Sequence, residues 1–358
     1  MLVRRWCALA LLALSSMSCS DVAPQDGAAG SGPDDVVVTA EALGSWTSLY
    51  KAAADARTLS LTTKYAIFAY GDPDEDACQT DAARVDVVLT NLGTRLDTPP
   101  LPGGDCGTSV TGAVGDDNGV FIADYQSDSI YKLVAVPNLK WGWQKIASTT
   151  GSAYGSRMVT SSTHLYWHDS DGLQRVANSG GAVTTLAARG NMPLGFEGSY
   201  LYAQKSGDPN QGSWPLTLQR LPLSGQTPTT LHVSYTYGFS SGFNFDASFF
   251  YFIDRDGSLP GTHRLIRLTK SGSTLTVLRE MASTDAYPLD FTLNSTHYYW
   301  TQDEFEDGYR LYRQKISDGS ISSIGCTAEC GAVVVSSSNV YVIGLDTDDR
   351  IRLYRSAL

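Results

Sequence analysis

The chain reads HLYWHD at 164–169 and HYYWTQD at 297–303, and each stretch leads into a segment with a basic residue between apolar ones. In the first case this residue is Arg175, in the second Arg313. Aromatic and β-branched residues are enriched in strands, and short apolar runs bounded by turn residues are typical of them. The two stretches therefore each predict a pair of short strands joined by an acidic turn.

The same pair of strands recurs along the chain. Apolar strands begin near Tyr65, Val120, Leu165, Leu201, Phe250, Tyr298 and Val340. The basic residues of the following strands are Lys132, Arg175, Arg220, Arg267, Arg313 and Arg352. Successive basic residues are 43, 45, 47, 46 and 39 positions apart. A period of about 40 to 50 residues with several short strands per unit is typical of a β-propeller.

Each repeat is interpreted as one blade of four antiparallel strands, A to D. In the clearest repeat we predict strands at 157–161, 165–169, 173–178 and 183–187. We expect an all-β, seven-bladed β-propeller. A six-bladed ring is the alternative, in which the diverged segment 65–101 is an appendage and not a blade.

The last predicted blade lacks an outer strand, because the sequence reaches Leu358 at the end of a strand C. The N-terminal segment can supply that strand. Residues 49–52 resemble 278–281, where the corresponding segment forms a strand D before the next blade. We therefore expect residues 45–52 to pair with the C-terminal blade. This pairing closes the ring and removes two sheet edges that invite aggregation.

The N-terminus indicates export. Two arginines in residues 1–5 precede a short apolar run at 6–14 and small residues up to Cys19, which is the pattern of a signal peptide at 1–18. The apolar run is too short to span a bilayer, which takes about 20 residues. Residues 16–19, Ser-Met-Ser-Cys, resemble a bacterial lipobox with Ser16 where leucine is usual. The resemblance implies lipidation of Cys19.

Three regions follow from this reading: a signal peptide at 1–18, a lipidated cysteine with a polar tether at 19–44, and the propeller at 45–358. We expect the protein in the bacterial cell envelope, anchored by lipid on the periplasmic side or at the cell surface. The alternative is an ordinary signal peptide and a soluble, secreted protein. The composition agrees with an exported all-β domain, since 34 Gly and 19 Tyr accompany only 18% charged residues.

The charge balance limits the partners. The net charge is −11, and removing the two arginines of the leader leaves 24 basic against 37 acidic residues, or −13. Such a chain is not expected to bind nucleic acid or an anionic membrane surface by electrostatic attraction.

Four cysteines follow the leader region, an even number that favours two disulfides in an oxidising compartment. Cys326 and Cys330 are close enough to pair, which leaves Cys78 with Cys106. The five histidines show no ligand spacing with these thiols, so we do not expect a zinc site.

The stretches at 164–169 and 297–303 resemble YWTD-type repeats, as in low-density-lipoprotein-receptor-like propellers and in many bacterial lipoproteins of unknown role. The resemblance extends from about residue 45 to the C-terminus. It implies a binding or scaffold module and not an enzyme, because that family is mainly noncatalytic.

The loops carry the functional prediction. Of the 37 carboxylates, 19 fall in predicted B–C loops, which emerge on one face of a propeller together with the D–A loops. Long loops on a rigid scaffold are where binding residues usually lie, although a single turn aspartate often bonds only its own backbone. The candidate binding-face residues are Trp214, Tyr235, Tyr237, Phe239, Asp254, Asp256, Asp303 and Asp307.

One B–C loop has the alternate carboxylates Asp72, Asp74 and Asp76, a pattern that can bind calcium. Ala77 stands where an EF-hand-like loop has glycine, so solvated acidic turns are the alternative. We expect no other cofactor.

We predict a monomeric binding or scaffold module for a protein or glycan of the cell envelope, acting through an acidic loop face. The alternatives are a hydrolase or lactonase with a metal or acid–base pair at the central channel, and a cofactor-bearing oxidoreductase. The sequence contains no Gly-x-Ser-x-Gly motif of the kind that carries a serine nucleophile.

Overall fold

The computed structural model describes residues 45–52, 56–70, 84–102, 110–124, 127–137, 140–150, 157–206, 216–224, 227–234, 242–255, 262–282, 287–304, 308–326, 329–348 and 350–358. Within these ranges, 28 β-strands form seven antiparallel sheets of four strands each. None of the described segments is a helix long and apolar enough to cross a membrane.

The first fourteen strands are β1 (Thr47–Lys51), β2 (Ala56–Leu61), β3 (Tyr65–Tyr70), β4 (Val85–Leu89), β5 (Thr94–Arg95), β6 (Val110–Asp116), β7 (Gly119–Asp124), β8 (Ser129–Val136), β9 (Lys140–Ser148), β10 (Val159–Thr160), β11 (His164–Asp169), β12 (Gly172–Ala177), β13 (Thr184–Ala187) and β14 (Asn191–Glu197). The others are β15 (Tyr200–Ser206), β16 (Leu216–Pro222), β17 (Thr229–Ser234), β18 (Asn244–Phe245), β19 (Phe249–Arg255), β20 (Thr262–Thr269), β21 (Leu275–Ala282), β22 (Tyr287–Leu293), β23 (His297–Asp303), β24 (Tyr309–Lys315), β25 (Ile321–Gly325), β26 (Cys330–Val335), β27 (Asn339–Leu345) and β28 (Ile351–Ala357).

Six of the sheets are built from four strands consecutive in sequence, which are strands A to D of one blade. Blade 1 is β2–β5, and blades 2 to 6 follow in order up to β25. The diverged segment at 65–101 is thus part of a complete blade, which confirms seven blades and rules out the six-bladed alternative. In blade 3 the strands β10–β13 lie within one or two residues of the predicted bounds.

Blade 7 combines the two ends of the described chain. Its strand order is β26-β27-β28-β1, so β1 is its outer strand D. Thr47 lies opposite Arg355 and Lys51 opposite Arg352. The backbone N–H of Ala52 extends this pairing by donating to the carbonyl of Ile351 at 2.9 Å. The predicted closure of the ring by the N-terminal strand is confirmed.

The described core consists of seven apolar clusters, and each one lies between two neighbouring blades. Trp167 and Trp300 are 0% and 1% exposed. Tyr166 of blade 3 stacks on Phe196 of blade 4 with ring centroids 5.8 Å apart. Large rings fill the gaps between twisted sheets, and each fully buried side chain of this size contributes about 1.5–3 kcal/mol. The repeated aromatic residues therefore pack between neighbouring blades.

The repeated basic residue of strand C also has a structural role. Arg220 lies over the ring of Tyr200 at 4.8 Å, and Arg267 lies over Phe249 at 4.6 Å. Lys132 lies 5.3 Å from the ring of Phe121. Such cation–π contacts stabilise by about 0.5–2 kcal/mol each. These cations are therefore part of the blades.

Candidate binding site: the loop face and the channel

The two faces of the ring differ in the length of their connections. On one face, here the short-turn face, the A–B and C–D connections have two to six residues. On the other, the loop face, the B–C and D–A connections have two to fourteen residues, with the longest between β3 and β4 and between β5 and β6. The two faces therefore differ in the length of chain that they present.

Aspartates recur where strands B reach the loop face. Asp124, Asp169 and Asp254 lie in the last two positions of β7, β11 and β19, and Asp346 directly follows β27. These side chains are only 1%, 4%, 4% and 8% exposed. They belong to the acidic set predicted for this face, but they are buried beneath it.

Asp169 shows what such a carboxylate does. Its Oδ1 accepts hydrogen bonds from the backbone N–H of Asp171 at 2.9 Å and from Nε2 of Gln174 at 3.2 Å. Its Oδ2 accepts from Nε1 of Trp167 at 3.1 Å. The carboxylate thus holds the turn and the core tryptophan together, as expected for an aspartate that bonds its own turn.

Asp346 has the same role in blade 7. It accepts from the backbone N–H groups of Asp348 and Arg350, and Nε of Arg352 lies 2.6 Å from its Oδ2. Lys51 of the ring-closing strand lies 3.1 Å from the same oxygen. Burial alone would raise the pKa of Asp346, but these hydrogen bonds and cations hold it well below its usual range.

Two predicted binding-face residues fall in the described ranges. Asp254 is buried, accepts from the Ser234 hydroxyl of blade 4 and lies 3.4 Å from Nη2 of Arg264 in blade 5, so its carboxylate joins these two blades. Asp303 is half-buried at the end of β23, opposite Tyr309. These positions give Asp254 a structural role and leave Asp303 at the loop face.

Asp303 belongs to a group of carboxylates between blades 6 and 7. Burial raises the pKa of the Tyr309 hydroxyl, and the charges of Glu329 and Asp303 raise it further. Glu304 pairs with Nε of Arg310 at 3.0 Å. Tyr309 stays protonated and acts as a donor to Asp303 and Glu329.

The disulfide lies beside this group. The sulfurs of Cys326 and Cys330 are 2.12 Å apart, as predicted for this pair. Trp46 packs at the same seam, where its Nε1 donates to the carbonyl of Gly325 at 3.0 Å and its ring lies 6.4 Å from that of Tyr354. The bridge therefore joins blades 6 and 7 next to the point where the N-terminal strand enters.

The other predicted site residues lie outside the described residues. They are Cys19, Asp72, Asp74, Asp76, Cys78, Cys106, Trp214, Tyr235, Tyr237, Phe239, Asp256 and Asp307. In the ranges that the structure does describe, no three His, Cys, Asp or Glu side chains converge in the manner of a metal site.

The channel at the centre of the ring contains a pair of opposite charges. In five blades a backbone hydrogen bond from an N–H to a C=O group closes the A–B hairpin. Counting back four residues from the residue that donates this N–H gives the same position, in or just before strand A, of each of these blades. Three of these residues are small and uncharged, and two are charged. They are Thr58, Gly242, Ala332, Arg157 and Asp290.

Asp290 in blade 6 receives three backbone donors. The N–H groups of Phe291 and Val333 lie 2.8 and 2.9 Å from its oxygens, and the N–H of Gly242 also contributes. Gly242 has φ +72°, and a Cβ there would lie 2.7 Å from Phe291 Cβ, so only glycine fits this approach. One carboxylate therefore joins the inner strands of blades 5, 6 and 7.

Arg157 of blade 3 extends past blade 4 to blade 5, where its Nη2 lies 3.4 Å from the carbonyl oxygen of Phe243. Desolvation lowers the pKa of Arg157 and raises that of Asp290, while each charge partly offsets the effect on the other. The guanidinium thus lies across the inside of the ring, close enough to Asp290 for their charges to interact.

Neither Arg157 nor Asp290 was a predicted site residue. The signal that could have found them is their common position in the repeat, four residues before the turn of the A–B hairpin, where three other repeats have small residues. That the two side chains approach each other is not visible in the repeat pattern.

No family model matches the chain, and no curated protein is similar to it in sequence. Solved structures with the same fold include an oligogalacturonate lyase from Vibrio parahaemolyticus, with 12% identity over 90% of this chain and 96% of the lyase and a TM-score of 0.56. The computationally designed protein Ika8 has 12% identity over 86% and 99% of the two chains and a TM-score of 0.52. BamB from Moraxella catarrhalis has 12% identity over 82% of each chain and a TM-score of 0.50. At these identities the similarity shows the β-propeller fold.

Proposed function

We propose that the protein is an exported, lipid-anchored β-propeller that binds a protein or glycan of the cell envelope through its loop face. The observation that carries the proposal is the difference between the faces: connections of up to fourteen residues on one side, and no more than six on the other. A rigid ring with long, variable loops on one face is suited to binding a partner.

The carboxylates of the loop face fall into two groups, buried ones that stabilise the blades and exposed ones that can contact a partner. Buried aspartates such as Asp169 and Asp346 hold the ends of the blades. More exposed groups such as Asp348, whose side chain is 65% exposed, remain at the surface. A partner with basic or hydrogen-bond-donating groups is complementary to such a surface, and its binding would weaken as salt is added.

The channel supports binding over catalysis. A hydrolase or lactonase at the axis needs a carboxylate that is free to exchange a proton or a metal with its surroundings. Asp290 instead accepts three backbone N–H groups, and Arg157 occupies the space beside it. Both residues therefore have a structural reason to be charged.

Calcium binding by Asp72, Asp74 and Asp76 remains a separate proposal, which titration calorimetry with calcium tests.

The test is photo-crosslinking in the cell from two matched aspartates. Asp348 lies on the loop face and Asp117 on the short-turn face, both in turns, with side chains 65% and 95% exposed and a lysine partner 2.9 Å away. A photoreactive residue at position 348 is expected to give a discrete adduct, and one at 117 is not. Adducts from 117 alone, or from neither position, would contradict the proposal.

A further inference from the structure

The exposed apolar side chains of the described residues are not scattered over the ring. In the described ranges nine large apolar residues are exposed, and seven of them lie at the short-turn face. The seven come one from each blade: Leu92, Val136, Val183, Tyr200, Leu275, Ile316 and Leu358. The other two, Val233 and Val277, lie within the outer strands β17 and β21. The short-turn face therefore has a ring of apolar side chains.

The members of this apolar ring are accessible. Leu92 is 64% exposed, and the other six are 37–40% exposed. Each lies in or next to a C–D or A–B turn, or, for Leu358, just after the last strand C. Single exposed apolar residues are ordinary, but one at the same end of every blade presents apolar surface around the whole face.

The charges on this face largely cancel. Lys64 lies 2.9 Å from Asp117, and Lys315 lies 3.3 Å from Asp318. Lys270 lies 2.6 Å from Glu197 and also above three aromatic rings, at 4.1–4.8 Å from their centroids. In contrast, 15 of the 37 carboxylates of the chain fall between a strand B and the next strand C, in the connections of the loop face. The protein is therefore electrically asymmetric, with the near-neutral side also the apolar one.

The proposed anchor brings one of these faces close to a bilayer. Between Cys19 and Ser45 lie 25 residues rich in Gly, Ala and acidic residues. For the polar tether expected from the sequence, random-coil behaviour gives a root-mean-square span of about 28 Å. The body thus stays within contact of the surface, and the chemistry of its faces decides which one turns toward it. The loop face is repelled by anionic headgroups.

We propose that the short-turn face lies against the lipid bilayer, with its apolar ring at the headgroup region, and that the loop face points away toward its partner. Aliphatic side chains and a tyrosine beside paired lysines are suited to the membrane interface. The inference rests on the proposed lipid anchor of Cys19. It assigns a role to the face that the proposed binding function does not use.

The experiment uses the full, lipidated chain bound to phosphatidylethanolamine–phosphatidylglycerol vesicles. A genetically encoded fluorescent residue replaces Leu92, Ile316 or, as the loop-face control, Asp348, and some lipids carry a spin label near the headgroup. We expect at least twofold stronger quenching at positions 92 and 316 than at 348. Equal quenching at all three, or stronger quenching at 348, overturns the inference.

Flotation of the same vesicles separates the two proposals. A chain that does not float with vesicles lacks a working anchor, which overturns the anchoring and the inference together. A chain that floats without quenching at 92 and 316 is anchored but oriented otherwise, and crosslinks from these positions to a second copy or another protein would identify a different occupant. In the double variant L92D/I316D, a probe placed at Leu275 should be quenched no more strongly than a probe at Asp348. The matched variant V233D, at an exposed valine of an outer strand, should keep the stronger quenching at 275.

Discussion

Tyr50 donates a hydrogen bond of 2.5 Å to Asp86, and this bond joins the outer strand of blade 7 to the first blade. Asp86 is 1% exposed and also accepts from Tyr70 at 2.6 Å, while Arg84 and Arg95 lie 2.9 and 3.1 Å from it. Burial raises the pKa of Tyr50, as does its bond to Asp86, so the hydroxyl stays protonated as a donor. The seam where the ring closes is therefore held by side chains as well as by strand pairing.

Removing this hydroxyl should weaken the ring at its seam. Tyr50→Phe keeps the ring that stacks on Phe68, at 5.6 Å between centroids, but leaves Asp86 with one donor fewer. We expect the free energy of unfolding to fall by about 1–2 kcal/mol, measured by urea denaturation. The control is Tyr200→Phe on the short-turn face, which keeps its contact with Arg220 and should change stability by less than about 0.5 kcal/mol. Equal effects of the two changes would argue against a special role for the seam.

Substitution of Asp290 in the channel is expected to lower the stability more than substitution of Tyr50. Asp290→Asn turns one acceptor oxygen into an N–H donor that faces backbone donors and removes the charge opposite Arg157. A loss of about 3 kcal/mol of stability is expected. Asp318→Asn, in an exposed turn, is the comparison and should be nearly neutral. An Asp290→Asn protein as stable as the parent would show that the three N–H groups do not need a carboxylate.

Low pH should destabilise blade 7, because it protonates Asp346. Its pKa in the folded protein lies below the unfolded value of about 4. The stabilisation by its ionised form is therefore fully present above pH 4 and is lost as the pH falls through the lower, folded value. Asp346→Asn should show a flatter dependence of stability on pH between about 5 and 2 than the parent, measured by thermal unfolding. Parallel curves for the two proteins would place the acid sensitivity elsewhere.

Cys19 is predicted to be the residue that anchors the protein to the membrane. Cys19→Ser should move the protein from the membrane fraction to the soluble fraction of the envelope without a change in melting temperature of the propeller. Cys78→Ser is the matched control, since it also removes a thiol but is expected to leave the protein in the membrane fraction. Membrane retention of the Cys19→Ser protein would show that Cys19 is not the anchor, and a parent protein found in the soluble fraction would favour the unlipidated alternative.

The second disulfide is a prediction that peptide mapping can check. Cys326 and Cys330 are paired in the structure, and Cys78 with Cys106 is the pairing expected from the sequence. Mass spectrometry of a digest under nonreducing conditions should show a peptide pair joined through 78 and 106 that separates on reduction. Free thiols at both positions would leave Cys326–Cys330 as the only bridge beyond the leader.

Most of the fold could be predicted from the sequence because its pattern is local. Strands β10–β13 follow from alternate apolar residues and turn formers within one stretch of about 30 residues. Repetition of that stretch predicts the ring, and the missing last strand predicts the role of β1. The disulfide at 326 and 330 follows in the same way from a short separation.

The site was less predictable, because it depends on exposure. Asp254 has the same sequence environment as a solvated turn aspartate, yet it is 4% exposed and accepts a hydrogen bond from Ser234 of the neighbouring blade. Turn composition indicates that a carboxylate stands at the end of a strand, but not whether it points outward or beneath the loop.

The sequence by itself determined the architecture, since every blade repeats one period of strands and the two chain ends complement each other. Only the tertiary structure decided what the faces and the axis contain. Arg157 and Asp290 lie in blades three apart, and Leu92 and Ile316 in blades five apart, so their relationship exists only after the ring has closed. The physical reason is that strand formation depends on neighbours in sequence, whereas burial, pairing of charges and shared faces depend on which distant strands meet.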